Sequence, residues 1–244
     1  MGKHDTTYAI RKGKLGAITL DAKTKQLLER ILTAVDDGDP RGPRLMDDAE
    51  RLRGRIRQFT QMKLLPGAID ESPLELACFA LQLPLRQLKL PPAGRSGRPN
   101  LRDRAEQAAE MLISLLAGQV DEPLLDRATQ LLHELPQRTP ILDEARLLAD
   151  AVNLDDFGVT GLILQALHSG RAGAGMTQLA DGLEKREQYG YWNARLKDGF
   201  HFDAVRQIAR RRLENARRAV TLLLDELKED RPVPSPSGTP GGEG

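Results

Sequence analysis

The sequence predicts an all-α protein, and both its composition and the spacing of its apolar residues indicate helices. Aromatic residues make up only 4% of the 244-residue chain, whereas Leu, Ala, Arg, Glu and Gln are frequent. This composition favours helices over strands, which prefer β-branched and aromatic residues. From Asp21 onward, apolar residues recur at spacings of three and four, as on one face of an amphipathic helix.

Charge, cysteine content and hydropathy argue against several kinds of site and partner. The net charge is +1, from 36 basic and 35 acidic residues, which gives no global attraction to nucleic acid or to an anionic membrane. The single cysteine, Cys78, excludes an intrachain disulfide and a zinc site built from several thiolates. No apolar run approaches ~20 residues, and the N-terminus lacks a signal-peptide core. We therefore expect a cytoplasmic protein with no cofactor and no membrane contact.

The N-terminal part is predicted to hold an arm and two helices. Residues 1–20 have no clear period and are expected to form the arm. A first helix over 21–35 is predicted from five apolar residues on one face, and the Gly- and Pro-containing stretch 36–43 ends it. A second helix over 46–64 is predicted with its apolar residues inward and its arginines outward. The inward residues are Leu27, Leu28, Ile31, Leu32 and Val35 in the first helix, and Leu52, Ile56 and Phe59 in the second.

The central helix is predicted to be the most buried. Ser72 is expected to cap it, and Pro73 suits the first helical position. The run LELACFALQL (74–83) is apolar almost all round, which is typical of a helix with protein on every side. A flexible basic loop follows over 91–100, and Asn100 is placed to cap the next helix.

The rest of the chain is predicted to be helical up to a tail at 232–244, whose Pro, Gly and Ser content indicates disorder. The simplest division is an N-terminal arm and helix (1–43), one helical domain (44–231) and the tail. The remaining helices are predicted over 101–118, 122–135, 140–152, 157–169, 176–189 and 202–229.

The stretch LLADAVNLDDFGVTGLILQA (147–166) places three carboxylates in an apolar run. Asp155 and Asp156 come just before a predicted helix, so capping is their simplest role. Asp150 is expected to pair with a nearby arginine, with a catalytic role as the alternative. A second unusual segment, 187–202, concentrates aromatic residues and is expected either to fill the core or to form a recognition surface.

Four segments, in order, resemble the HD-domain metal-dependent phosphohydrolases, particularly a branch of small bacterial hydrolases. The corner 150–161 (DAVNLDDFGVTG) has the layout of that branch's Asp- and Gly-containing motif. The segment 207–227 (QIARRRLENARRAVTLLLDEL) resembles its closing helix, while 47–56 (DDAERLRGRI) and 74–83 resemble its opening and central helices. The resemblance covers 47–229 and implies a single HD-domain-like helical domain, with the N-terminal helix as an extension.

The resemblance also implies which positions once held a metal ion. The family uses a histidine, an adjacent His-Asp pair and a distant aspartate to hold a divalent ion that activates water. These ligands fall on Asp48, on Gln82 and Leu83, and on Val152. Only Asp48 retains a typical metal ligand, and an exposed aspartate early in a helix usually interacts with the helix dipole. We therefore expect a catalytically inactive relative that binds no metal and has a binding or regulatory role.

Three alternatives for the site follow. Arg95 and Arg98, in the basic loop, are candidates for contacting a phosphorylated or nucleotide ligand. In a rival hypothesis Asp48, His133, Asp150 and Asp155 form a rearranged site that hydrolyses a phosphate ester. A third hypothesis makes the arginine-rich closing helix a nucleic-acid contact, although the near-neutral net charge disfavours it. A protein partner is also compatible with the sequence, and its identity is not specified.

Overall fold

The structure is a computed structural model, and its described residues contain eleven α-helices and no strand, which confirms the all-α prediction. The predicted arm, the basic loop with Arg95 and Arg98, and the C-terminal tail lie outside the described residues. The described residues are 20–34, 41–67, 69–86, 100–171 and 173–229. For residues 41–43 and 171 the description covers the backbone and not the side chains.

The helices are labelled in chain order, and most of them match the predicted ones to within a few residues. They are α1 (Ala22–Thr33), α2 (Arg41–Gln61), α3 (Glu71–Ala80), α4 (Leu83–Arg86), α5 (Leu101–Leu116), α6 (Glu122–Glu134), α7 (Asp143–Asp155), α8 (Val159–Arg171), α9 (Met176–Gln188), α10 (Tyr191–Asp198) and α11 (Asp203–Glu229).

Helix α2 begins five residues earlier than predicted, and this changes the setting of Asp48. The last three residues of the predicted break at 36–43 form the first turn of α2. Pro43 is tolerated there, because an N–H in the first turn has no partner within the helix. Asp48 therefore lies in the third turn and is only 8% exposed, not an exposed residue of the first turn.

Two predicted caps have different outcomes. The N-cap of α3 is Asp70, whose side chain accepts the Ser72 N–H at 2.9 Å, so the prediction of Ser72 as the cap was wrong by two residues. The Asn100 cap of α5 is confirmed, since its side-chain oxygen accepts the Asp103 N–H at 2.9 Å. In both cases the cap satisfies an N–H that has no partner within the helix.

The core surrounds α3, as its all-round apolar sequence predicts. All ten residues of α3 are buried, including Glu75, which is 0% exposed. Glu75 accepts hydrogen bonds from the Leu20 N–H (3.1 Å) and from Arg57 (2.8 Å), so its buried charge is compensated. Leu28 and Leu32 of α1 belong to the same core cluster, so the N-terminal helix packs into the domain.

The C-terminal helices meet at an aromatic cluster that follows the Asp155–Gly158 corner. The Phe157 ring packs edge-on against Trp192 and Phe200, with centroids 5.5 and 5.2 Å apart. All three rings are buried. In segment 187–202 the core-filling expectation therefore holds for Trp192 and Phe200, whereas Tyr189 and Tyr191 are exposed. That segment also contains the short helix α10, which was not predicted; Gly190 adopts a left-handed conformation (φ +64°) and separates it from α9. No described helix is both long enough and apolar enough to span a membrane.

Candidate functional site

One face of α2 carries a row of charged residues that points into the protein. Arg44, Asp48, Arg51 and Arg55 are spaced by four, three and four residues, so they share one side of the helix. Arg55 is only 6% exposed. The prediction that the arginines of α2 point outward is therefore wrong for this row, because a matching carboxylate on α7 compensates their charge.

That carboxylate is Asp155, the last residue of α7. It accepts hydrogen bonds from Arg51 Nε (3.0 Å) and Nη2 (3.1 Å), a bidentate pairing, and also from Arg55 Nη1. Burial favours the neutral acid, but the two guanidinium groups outweigh it and hold the pKa of Asp155 below its usual value. Asp155 therefore ties α2 to α7 instead of capping the next helix.

Asp48 joins this network from the same face of α2. Its Oδ1 accepts from Arg51 Nη1 at 2.7 Å, and its Oδ2 lies 3.7 Å from Arg44 Nε. Arg51 thus bridges Asp48 and Asp155, and the hydrogen bonds to both carboxylates raise its pKa despite burial, which acts to lower it. The two carboxylates are brought together by a guanidinium that lies between them.

A small cleft opens beside the network. Gln82 and Arg104 form its far wall: Arg104 donates to the Leu81 carbonyl (2.7 Å) and to Gln82 Oε1 (3.3 Å). The enclosed space is about 20 Å³, enough for roughly one water molecule. The cleft is lined by Arg44, Asp48, Arg51, Gln82, Leu85, Arg104, Asp155, Leu164 and His168.

Positive charge predominates around the cleft. Two carboxylates, Asp48 and Asp155, meet five arginines. The Nε and Nη1 atoms of Arg44 are buried and have no hydrogen-bond partner among the described residues, which is costly for a charged donor. The arginines are Arg44, Arg51, Arg55, Arg104 and Arg212.

Arg212 adds to this excess from α11. Its side-chain carbons lie 3.1–3.5 Å from the position that a Cβ on Gly158 would occupy. Burial, and then repulsion from Arg55, lowers the pKa of Arg212, although Asp155 acts in the opposite direction. A fifth cation is therefore held near the network at an electrostatic cost.

His168 lines the cleft from α8, where the sequence gave no reason to expect a site residue. Its Nδ1 lies 2.6 Å from the Leu164 carbonyl oxygen, so Nδ1 carries the proton and donates it to that oxygen. In the neutral imidazole, Nε2 is then the acceptor. The ring can accept a hydrogen bond at Nε2, or donate one there when it is protonated.

Asp150 occupies a different place from Asp155. The two are five residues apart on α7, which turns them about 140° from each other around the helix axis. Asp150 is fully buried and accepts the His201 N–H (2.8 Å) and the Phe202 N–H (3.0 Å), immediately before α11. Burial raises the pKa of Asp150 to about 6, although these two hydrogen bonds and Arg206 act to lower it.

The remaining candidate residues are distributed between the core and the surface. Leu83 and Val152 are buried in the hydrophobic core cluster. His133 is exposed in the last turn of α6, where a cation suits the helix dipole. Of the proposed rearranged set, the structure joins Asp48 and Asp155 through Arg51, while Asp150 contacts the start of α11 and His133 faces solvent.

Other features of the sequence are also placed by the structure. Two arginines of the closing helix are ion-paired, Arg206 with Asp203 and Arg217 with Glu187 at 2.6 Å. Within the described ranges, no group of three or more His, Cys, Asp or Glu side chains is arranged to hold a metal ion.

The arginines of the cleft were missed by the sequence analysis, although one signal was available. The 4-3-4 spacing of Arg44, Asp48, Arg51 and Arg55 is a helical stripe of charge, which predicts an ion-paired face. Nothing in the sequence places Arg104, His168 or Arg212 beside that stripe, because they come from three other helices.

Comparison with known proteins identifies the fold but not the family. No protein-family model and no curated protein matches this sequence. The fold is similar to the crystal structure of Bacillus subtilis YpgQ in complex with ADP, at 16% identity and a TM-score of 0.51, over 86% of this chain and 95% of that one. The selenomethionine form of the same protein gives 18% identity and a TM-score of 0.50, over 86% and 96% of the two chains.

Proposed function

We propose that this chain is a non-catalytic relative of the HD-domain phosphohydrolases and that it binds a phosphorylated ligand of the nucleotide class at the arginine-rich cleft. The four-segment resemblance and the fold similarity to YpgQ, an HD-domain-like protein, support the relationship. In this proposal Asp155, one turn beyond Val152 and on the cleft side of α7, takes the place of the family's distant aspartate.

The observation that carries the proposal is the Arg44 guanidinium, two of whose nitrogen atoms are buried without a hydrogen bond to any described residue. Its buried Nε and Nη1 donors have no hydrogen-bond partner and line a cleft in which arginines exceed carboxylates. Phosphate oxygens are strong acceptors for such donors, and each contact would supply the hydrogen bond that a buried N–H lacks. The ADP complex of YpgQ, at 16% identity, supports the nucleotide class.

The size of the cleft limits how the ligand is held. About 20 Å³ admits a water molecule but not a nucleotide. In this proposal the Arg44 side chain turns toward the mouth of the cleft, where its donors and His168 contact a terminal phosphate, and the base lies outside. Arg51 and Arg55 are engaged by carboxylates, so they contribute their charge and not a new hydrogen bond.

A binding experiment tests the proposal. ADP, ATP and inorganic phosphate are titrated calorimetrically into the wild type, Arg44→Gln and the matched control Arg102→Gln, an exposed arginine of α5 outside the cleft. We expect Arg44→Gln to weaken nucleotide binding about tenfold and Arg102→Gln to leave it unchanged. Loss of binding in Arg95→Ala or Arg98→Ala alone would move the site to the basic loop. Binding of none of the three ligands would refute the proposal.

A phosphohydrolase with a rearranged site is the second candidate, favoured by the convergence of Asp48, Asp155 and His168 on one cleft. Metal content distinguishes the two candidates. After incubation of the tag-free protein with Mn, Fe, Co, Ni or Zn, we expect less than one equivalent to be retained. One tightly held equivalent, together with phosphatase activity that is lost in folded Asp48→Ala or His168→Ala, would favour the enzyme.

A further inference from the structure

A second, larger cavity lies on the other side of the Asp155–Gly158 corner. It is a half-open groove of about 450 Å³ between α8, α9, α10 and α11, and it shares no lining residue with the arginine-rich cleft. This volume is within the usual range for small-molecule sites. Its apolar wall includes Leu162, Leu183, Trp192, Leu213, Val220 and Leu224.

Most of the charged side chains that line the groove form ion pairs. Asp156 accepts from Arg195 at 3.1 Å. Arg217 donates to Glu187 (2.6 Å) and to Asn193 (3.2 Å). The remaining charged group is Glu184, an exposed residue of α9 that has no hydrogen bond or ion pair with any other described residue.

The groove therefore combines an apolar wall with one uncompensated negative charge at its edge. An apolar ligand body gains by leaving water, in proportion to the area it buries against the leucines and Trp192. A positive charge on the same ligand would be attracted to Glu184, whereas a negative charge would be repelled. The complementary ligand is a small molecule with both properties.

We propose that this groove binds a small cationic amphiphile, a molecule with an aromatic or aliphatic body and a protonated amine. The amine lies beside Glu184, and the apolar body contacts Trp192, Leu213 and Val220. This site shares no residue with the arginine-rich cleft, so either of the two binding proposals can fail without the other.

Trp192 provides a direct readout, because it is the only tryptophan in the chain and lines the groove. Three matched probes are titrated while its emission is followed: 4-tert-butylbenzylamine, the corresponding benzyl alcohol and the corresponding benzoate. We expect the ammonium probe to bind about three- to tenfold more tightly than the alcohol, and the benzoate to bind most weakly.

Two pairs of variants locate the site. Glu184→Gln should remove the preference for the amine over the alcohol, whereas Asp181→Asn, an exposed acid on α9 outside the groove, should leave it unchanged. Val220→Phe should weaken all three probes by placing a ring in the groove. Leu222→Phe, at an exposed position two residues away, should not. If Val220→Phe does not fold, as judged by circular dichroism, the Glu184 pair decides alone.

Several results would overturn the proposal. Equal affinity for the amine and the benzoate would refute the cationic class. Unchanged Trp192 emission with every probe would refute ligand binding in the groove. Emission that changes with protein concentration instead of with the probes would show that a second copy of the chain fills the groove.

Discussion

At the scale of single residues, Asp155 has the greatest consequence for the site. It is 5% exposed and accepts hydrogen bonds from both Arg51 and Arg55, which come from a helix about 100 positions earlier in the chain. A buried ion pair contributes modest net stability, but the loss of one partner leaves the other charge buried and unpaired. Among the described residues, Arg55 would keep a single acceptor, the Ala151 carbonyl at 3.2 Å.

Asp155→Ala should therefore lower the free energy of unfolding by about 3–5 kcal/mol, as measured by urea denaturation. The control is Asp143→Ala on the same helix, which removes a half-exposed ion pair to Arg146 and should cost under about 1 kcal/mol. Equal effects of the two substitutions would mean that the network around Asp155 is solvated and that its buried charges are not coupled.

Asp150 predicts a pH dependence of the opposite sign to that of Asp155. Its pKa is about 6 in the folded protein, above the ordinary value of 3.8. The folded state therefore binds the proton more tightly, and this contribution, at most on the order of 3 kcal/mol, is complete below pH 4 and is lost as pH rises to about 6. Asp155 has a lowered pKa, so its contribution to stability is present above the ordinary pKa of 3.8 and is lost as the pH falls below that value.

The free energy of unfolding should thus fall more between pH 4 and pH 6.5 in the wild type than in Asp150→Asn. His201 titrates in an overlapping range, and burial lowers its pKa, so its contribution rises with pH. The difference between the two proteins removes this shared contribution. Parallel stability profiles over the whole range would show that Asp150 stays ionised.

At the scale of elements, the tight connection between α7 and α8 positions the site. Asp155 ends α7, Gly158 adopts a left-handed conformation (φ +88°), and Val159 begins α8. Gly161, in the first turn of α8, lies directly over the preceding corner. A Cβ at that position would be 2.3 Å from the Asp156 carbonyl oxygen, a distance that requires the backbone to move. The glycine thus permits the close turn that presents Asp155 to α2.

Gly161→Ala should lower the free energy of unfolding by about 1–3 kcal/mol, because the turn must open to accept the methyl group. Gly182→Ala, in the middle of α9 with nothing within 4 Å of the added Cβ, should raise it by about 0.5–1 kcal/mol. Thermal unfolding of both variants checks the prediction. A stabilised Gly161→Ala protein would show that the turn accommodates the added methyl group without moving.

At the scale of the whole molecule, one core supports both the arginine-rich cleft and the apolar groove. The helices α2, α3, α5 and α7 contribute to the same hydrophobic cluster, and α11 joins it through Val205, Ala209 and Leu213. The arginine-rich cleft lies on the α2 side of the α7–α8 corner, and the apolar groove lies on the α11 side. A substitution in the corner is therefore expected to affect both cavities, whereas Arg44 and Glu184 each affect one.

The sequence by itself determined the all-α class, the approximate position of most helices and the buried character of α3. These properties depend on local composition and on apolar spacing along one helix, which the sequence displays directly. It also identified Asn100 as a cap and the 150–161 segment as a corner, because a capping side chain and a turn glycine act on neighbouring backbone.

Only the tertiary structure decided what the carboxylates do. The sequence predicts capping for Asp155 and an arginine partner for Asp150, yet Asp155 binds arginines of α2 and Asp150 binds the backbone before α11. Their partners are 104 and 51 positions away, so no local pattern contains them. Arg44, Arg104 and His168 meet at one cleft for the same reason. Such contacts depend on how the helices pack, and packing follows from the shape of the whole core.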